Sequence, residues 1–361
     1  MKKISLFLVI FALSIFSTFA KDEVQVKESW MYLQKAQQEF DNNKFAQTMK
    51  LVNEAVLLRN QECEKEASTI TKAVTPYQVR RYGDMIEDVL KVLDERQEYA
   101  AIDIINKWVD KYSIEYFDDS IAKLINFIQA RKNFPEACIL IAKVYMLEGD
   151  FDQAMKYLED ARKYAYLLDI PEQENDIYFL IAEIAEFKQD VPTQEKALLL
   201  IAKNNGDFSN ETLKKAVLRT SKARKEDNSS RFFKLYRIDG ISSIKAYHKL
   251  SKIYDDSKKY QDAYLTNLYC ALIGFTHLNS ILEERQSDYQ YEYLGTFFKD
   301  IARYPDIMKW CNENNLWESF YNIYTYGIKC EYTKFATDII TVLSKDCPEE
   351  YWKNAAKKCI N

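Results

Sequence analysis

The sequence predicts an all-α chain, a solenoid of antiparallel helix pairs, and three observations predict it. With only seven Gly and six Pro in 361 residues, the chain lacks the turn punctuation that many short strands need. Apolar residues recur at three- and four-residue spacing in run after run, the helical period. Short polar turn signals divide these runs at one per helix, as in KNFPEA (132–137) and GDFDQA (149–154). Helices this short cannot fill a core in isolation, so each pair must stack on its neighbours.

The first element is MKKISLFLVIFALSIFSTFA (1–20): two lysines, an apolar run from Ile4 to Phe16, and small residues at Thr18 and Ala20. This reads as a secretory signal peptide cut before Lys21. The run is broken by Ser5 and Ser14 and falls short of the about 20 apolar residues of a spanning helix. No cysteine stands near the cleavage site, so a lipid-modified cysteine is not expected. The expectation is an exported, periplasmic or secreted, unlipidated chain. Without Lys2 and Lys3 the 50 Lys+Arg become 48 against 55 Asp+Glu, a formal charge of −7, which disfavours nucleic acid as a partner.

Next comes YLQKAQQEFDNNKFAQTMKLVNEA (32–55), two helical patterns joined at DNNK. Amphipathic runs follow at about 77–97, 99–112 and 118–132. Residues 138–161, CILIAKVYMLEGDFDQAMKYLEDA, are the clearest pair. Cys138, Ile141, Ala142 and Tyr145 share one helical face, and Ala154, Leu158 and Ala161 another. Gly149 supplies the turn, where a positive φ is needed, and Asp150 or Asp152 caps the next helix. Small side chains at the crossing let the two axes approach closely. YFLIAEIAEFKQDVPTQEKALLLIA (178–202) and YHKLSKIYDDSKKYQDAYLTNLYC (247–270) repeat the pattern, the latter with Lys258 where the glycine belongs. SKARKEDNSSR (221–231) has almost no apolar periodicity and reads as a hinge or long loop. The expected division is a signal peptide (1–20), an N-terminal array (21–222), a basic polar loop or hinge (223–240), and a C-terminal array with an aromatic-rich cap (241–361).

Ile141, Ala142, Tyr145, Gly149, Phe151, Ala154, Leu158 and Ala161 resemble the tetratricopeptide repeat in residue type and spacing. The copies at 32–55, 178–202 and 247–270 are similar to it in fewer positions. The resemblance implies a tetratricopeptide-like α-α superhelix of exported bacterial type that binds a protein or peptide on its concave face. In that family the exposed positions of each repeat's first helix line this face. Carried over, they are Glu136, Ile139, Lys143, Met146 and Leu147 in the central copy, and Lys245, His248, Lys252, Asp255 and Asp256 in the later one.

Other constellations stand apart from the repeats. Lys214, Lys215, Arg219, Lys222, Arg224, Lys225, Arg231, Lys234 and Arg237 form a basic stretch with two acids, suited to an anionic membrane surface with Phe232, Phe233 and Tyr236 dipping in, or else to a solvated helix end. The aromatics of 289–332 suit a cradle or, more simply, a core. Antiparallel helices near 304–314, 316–329, 331–344 and 348–359 would bring Cys311 to Cys347 and Cys330 to Cys359, if disulfides form at all. Asn210 and Asn228 begin glycosylation acceptors only in a eukaryotic host.

Catalytic signals are poor. His248 and His277 lie too far apart for HExxH, no cysteines stand at CxxC spacing, and no two glycines lie within ten residues of each other, so metal, redox and phosphate-loop motifs of the usual form are absent. Glu115, Asp118 and Asp119 suit helix caps. The function expected is therefore a non-enzymatic envelope scaffold or adaptor, without cofactor. The runner-up is a carrier of a small ligand or lipid for a transport system.

Overall fold

The computed structural model describes residues 28–75, 84–204, 210–223 and 228–360. The expected signal peptide lies outside them. The described elements are helical; the one β feature among the described residues is an isolated bridge between Met85 and Ser120. None of the described helices is long and apolar enough to cross a membrane. The chain forms two compact units, Met1–Pro171 and Glu172–Asn361.

The first unit comprises α1 (Ser29–Asp41), α2 (Phe45–Val74), α3 (Ile86–Glu95), α4 (Tyr99–Tyr112), α5 (Ile121–Ala130), α6 (Pro135–Glu148) and α7 (Phe151–Lys163). At 30 residues, α2 is about 45 Å long, long enough to serve two cores. Its N-terminal half packs with α1 and α6 through Ala36, Val52, Ala55, Ala137 and Leu140. Its C-terminal half packs with α3, α4 and α5 through Cys63, Ile70, Leu93, Ile105 and Leu124. The α6–α7 pair closes on the small residues expected at its crossing: Ala142, Ala154 and Ala161 are fully buried. Pro135 opens α6 at a position that needs no N–H donor, and Asp150 caps α7 by accepting from the Gln153 N–H at 3.1 Å. Of the acidic residues near 118, Asp118 pairs locally with Lys123, while the backbone carbonyl of Asp119 accepts from the Ile86 N–H at the start of α3 at 2.9 Å.

The second unit comprises α8 (Glu174–Phe187), α9 (Val191–Asn204), α10 (Glu211–Lys222), α11 (Asn228–Leu235), α12 (Ile244–Asp256), α13 (Tyr260–Arg285), α14 (Leu294–Ile301), α15 (Pro305–Glu313), α16 (Leu316–Lys329), α17 (Thr333–Asp346) and α18 (Glu350–Ile360). Its spine is a serial stack in which α8, α9, α12, α13, α16, α17 and α18 each pack on the next. From Ala263 to Thr276 every residue of α13 is buried, Leu265, Leu268, Tyr269, Leu272 and Phe275 fully so, as a helical span with no solvent face requires.

The four repeat-like stretches all fold as adjacent helix pairs: α1–α2, α6–α7, α8–α9 and α12–α13. One turn geometry recurs in six of the helix-to-helix junctions among the described residues. Asn43, Gln97, Gly149, Gln189, Lys258 and Glu331 all take φ between 57° and 81°. In each case the next N–H (Lys44, Glu98, Asp150, Asp190, Lys259, Tyr332) donates to the carbonyl five residues back at 2.8–3.0 Å. This is the left-handed helix stop that glycine favours, built here five times without glycine.

The unit boundary falls at Pro171, not in the basic stretch expected as a hinge. Part of that stretch is α11, whose Phe232 and Phe233 are fully buried against Phe335, Phe275 and Phe320. Their burial ties the segment into the second unit and removes them as membrane-dipping residues. The same core absorbs most of the aromatic-rich region: Phe297, Phe298, Trp317 and Phe320 are almost wholly buried. All seven cysteines are free thiols. Cys311 and Cys347 lie within electrostatic reach of each other, but Cys359 places its sulfur 3.5 Å from the Tyr321 hydroxyl rather than in a bond to Cys330.

Candidate functional site

A groove of about 880 Å³ in the first unit is bounded by the start of α1, by α2 and α4, and by Arg131 and Asp169. On α2 the groove face is set by helical spacing: Arg59, Glu62, Cys63 and Glu66 fall at intervals of three and four. Glu62 reaches the first residue of α1, accepting from Ser29 N–H and Ser29 Oγ, both at 2.7 Å. This satisfies a helix-terminal donor from 33 residues away and holds the α1 terminus against α2. Trp30, next along, is 52% exposed on the groove rim.

The wall from α4 carries Ile104, Lys107, Trp108 and Lys111. Glu66 accepts from Lys107 Nζ at 2.6 Å and from Trp108 Nε1 at 2.9 Å, so the indole is locked with one edge toward the cavity. Two arginines occupy the closed end. Arg59 and Arg131 are only 7% and 5% exposed, a rare state for a cation. Arg59 lies 4.0 Å from the Phe134 ring centroid and donates from Nε to Ser29 Oγ at 3.0 Å. Arg131 lies 4.6 Å from the Trp108 centroid. The aromatic faces offset part of the cost of removing the guanidinium groups from water.

Asp169, on the segment that follows α7, completes this end. Its Oδ1 accepts from Lys111 Nζ at 2.8 Å and from Arg131 Nη2 at 3.2 Å, and its Oδ2 lies 3.9 Å from Arg59 Nη2. Burial alone would push its carboxyl up, but the Lys111 hydrogen bond and the charges of Arg131, Lys111 and Arg59 outweigh that and hold it below the usual aspartate range. The Asp169 N–H donates to Glu136 Oε1 at 2.8 Å. Burial pushes the Glu136 carboxyl up, and the hydrogen bond from Asp169 N–H offsets only part of this. Burial likewise raises the Cys63 thiol despite Arg59 and Arg131 nearby, the opposite of what a nucleophilic cysteine needs. Among the described residues no group of three His, Cys, Asp or Glu could hold a metal. The groove combines apolar surface from Trp30, Ile104 and Trp108 with ion pairs held by Glu66 and Asp169 and two buried cations.

The residues expected to line the concave face are only partly available. Ile139 is buried at 6% exposure and is not among the groove-lining residues; α6 is apolar on more than one face. Glu136 is half-buried and engaged with Asp169. Lys143 and Met146 are half-buried, and Leu147 is 60% exposed. In the later copy Lys245, Lys252 and Asp256 are exposed, and Asp255 pairs with Lys329 at 3.6 Å. His248 is not the exposed helix residue expected: its Nε2 lies 3.1 Å from the Asn314 carbonyl, and burial holds its pKa below the ordinary histidine value.

Of the basic stretch, Arg224 and Lys225 lie outside the described residues. Lys215, Arg219, Lys222, Arg231 and Lys234 are exposed along α10 and α11, and Lys214 sits 3.9 Å from Glu211. Lys222 stands 5.6 Å from the Tyr332 ring in a small hollow shared with Lys334. Arg237 is exposed as well, while its guanidinium donates to the Tyr236 carbonyl at 3.0 Å and lies over the Phe275 ring.

Sequence reasoning missed the groove, although a signal was present. Arg59 interrupts the buried stripe Val52, Ala55, Cys63, Ala67 at the position where an apolar residue is due, and Arg131 continues the stripe Leu124, Ile128 of α5. A cation in a buried register marks a site that must supply it with partners.

The tetratricopeptide repeat family matches residues 135–164, which are α6, its left-handed turn and α7. A protein of Treponema pallidum (strain Nichols) described as uncharacterized is 27% identical over 347 residues, covering 93% of this chain and 91% of its own length. No solved structure matches. The repeat geometry and the family match agree on the same residues: the chain contains a tetratricopeptide repeat, within an all-α, tetratricopeptide-like fold of stacked helix pairs.

Proposed function

We propose that this chain is a non-enzymatic protein-interaction adaptor of the bacterial cell envelope, exported by its N-terminal segment, that docks a partner protein in the groove of its first unit. The observation that carries the reading is the groove itself. Trp30 is exposed at its rim, Trp108 is locked within it, and its polar groups are already held by Glu62, Glu66 and Asp169. A preorganised surface avoids part of the ordering cost of association. Tetratricopeptide repeats generally serve protein binding, which supports the class of ligand. Within the same unit, the first-helix position Leu147 is exposed and Lys143 and Met146 are half-buried, and they are further candidates for partner contact.

The test places a photo-crosslinking residue at Trp30 and, as a remote control, at Tyr351, which is 70% exposed on α18. Irradiation of living cells is expected to give a discrete protein adduct from position 30 that position 351 does not give. Absence of any protein adduct at position 30 would remove the adaptor reading. Fractionation of the same cells tests export, with a mature chain beginning at Lys21 in the envelope fraction expected; full-length chain in the cytoplasm would overturn it.

A second reading, carriage of a small ligand, is favoured by one observation: the groove volume of about 880 Å³ lies in the range of small-molecule sites. Native mass spectrometry of protein isolated from its host separates the two, since a carrier retains a bound mass and an adaptor gives the bare chain.

A further inference from the structure

We propose that the adjoining outer faces of α10 and α11 attach the second unit to an anionic lipid bilayer by surface charge, without inserting a helix. This surface works without the groove of the first unit.

Helical spacing builds it. Lys215, Arg219 and Lys222 stand four and three residues apart on α10, so they share one face, and all three are exposed. The opposite face of α10 buries Val217 and Ser221. On α11, Arg231, Lys234 and Leu235 are exposed, while Phe232 and Phe233 are fully buried. Both helices pack on α17, with Phe232 against Phe335. The Tyr236 hydroxyl, just beyond α11, stands 2.9 Å from Thr220 Oγ1 of α10. The two exposed faces therefore adjoin and turn away from α17.

The charge on this surface is one-sided. The described residues between 210 and 240 include seven Lys and Arg but two acids, Glu211 and Asp239, in a chain of formal charge −5. Residues 224–227 add two bases and two acids, which cancel. Glu211, at the start of α10, lies 3.9 Å from Lys214. Two acids border the patch from the side of α17: Glu331 in the hollow beside Lys222, and Asp338, which pairs with Lys334 at 2.9 Å. Among the described residues no acid lies within ion-pair distance of Lys215, Arg219, Lys222, Arg231 or Lys234.

A negatively charged chain with one basic face turns that face toward a negative plane. No aromatic side chain is exposed among the described residues of α10 and α11. The face thus lacks the aromatic anchor of a protein hot spot and the stacking platform of a single-strand binder. It matches a plane of phosphate headgroups, where each cation contributes separately. Leu235, 60% exposed beside Lys234, can settle at the boundary between headgroups and acyl chains.

The experiment sediments the full mature chain with vesicles of phosphatidylcholine and phosphatidylglycerol in equal parts, and with vesicles of phosphatidylcholine alone. Binding to the anionic vesicles only is expected, with release as salt shortens the screening length below about 10 Å. Arg219→Gln and Lys234→Gln should each lower the partition coefficient about fivefold. Lys357→Gln and Lys358→Gln, exposed on α18, change the net charge equally and should have no effect. On the unaltered chain, anionic vesicles should shield Lys215, Lys222 and Lys234 from an amine-reactive reagent and leave Lys357 and Lys358 open. That footprint decides the matter even if a variant misfolds.

Equal binding to both vesicles, binding to neither, equal losses from the α18 variants or an unchanged footprint would overturn the proposal. So would binding to a labelled DNA duplex in the absence of vesicle binding, which would assign the surface to nucleic acid. Inorganic phosphate should release no more protein than chloride at equal ionic strength; a greater release would mean a discrete phosphate site in place of a membrane surface. Crosslinks from position 30 test the groove separately, and neither result alters the other.

Discussion

Arg131, closing the buried stripe of α5, donates from Nη2 to Asp169 at 3.2 Å, across 38 residues of chain. The bond joins a side chain that is 5% exposed to one that is 39% exposed. A deep cation is thus neutralised by a carboxylate standing at the surface, and its stability depends on a proton equilibrium that solvent controls.

Acid should weaken this arrangement in a definite direction. The folded Asp169 carboxyl lies below its ordinary value, with burial opposing and Lys111, Arg131 and Arg59 overcoming it. Its stabilisation is therefore complete above the unfolded value of about 4 and is lost as pH falls through the depressed folded value. Breaking a fully buried pair costs about 3–5 kcal/mol; with Asp169 partly solvated, Asp169→Asn should cost about 1–2 kcal/mol at neutral pH. Urea midpoints from neutral pH down to strong acid should show a shallower acid limb for the variant, and coincident limbs would refute the assignment.

The six left-handed turns predict a stabilising substitution. A residue with a Cβ pays about 1–2 kcal/mol in this conformation, so Lys258→Gly, at φ 59°, should gain about 0.5–1 kcal/mol after the unfolded-chain entropy of glycine is set against it. Gly149→Ala should lose about 1 kcal/mol. No atom lies within 4 Å of an added Cβ at Gly149, so that loss is purely conformational. Thermal denaturation of the two single variants measures both signs.

Close approach sets the cost at Gly327. A Cβ there would stand 2.8 Å from Cβ of Ala336 and 3.3 Å from the Tyr264 ring. Gly327→Ala gains helix propensity of about 1 kcal/mol but overpacks the α16–α17 contact by about 1–3 kcal/mol, for a net loss of about 1 kcal/mol. Combining it with Ala336→Gly should recover more than additivity allows, a coupling that a double-mutant cycle reads directly.

Thiol chemistry provides a fourth test. Burial pushes Cys138 up to about 11 and Cys311 and Cys347 up to about 12, and it raises Cys270 as well. Brief alkylation of the native chain at mildly alkaline pH should leave all four unmodified, whereas alkylation in denaturant should modify all seven cysteines. Mass spectrometry of the unreduced protein checks the free state: a mass lower by one pair of hydrogens would mean that one disulfide had formed, and unreduced peptide mapping would show whether it joins Cys311 and Cys347.

Much of this was legible in the residues. Small side chains at Ala142, Ala154 and Ala161 specify a helix crossing, and they are fully buried. The pair at 247–270 formed although Lys258 replaced the expected glycine, because packing along α12–α13 outweighs the local cost of one strained residue. The groove was harder to see. Its parts come from α1, α2, α4, the end of α5 and the segment after α7, and the signal at Arg59 and Arg131 was a single wrong residue type in each of two stripes.

Periodicity and turn chemistry act between residues three to five apart, so the sequence alone determined the all-α class, many of the helices, the four repeat-like pairs and the resemblance to the repeat. Tertiary packing alone decided which cations are buried, which aromatics belong to the core, where the chain divides into units and which carboxylate neutralises Arg131. Those outcomes depend on contacts tens of residues apart, such as Ser29 with Glu62 and Arg131 with Asp169, and no local pattern along a helix encodes which distant side chain will be its neighbour.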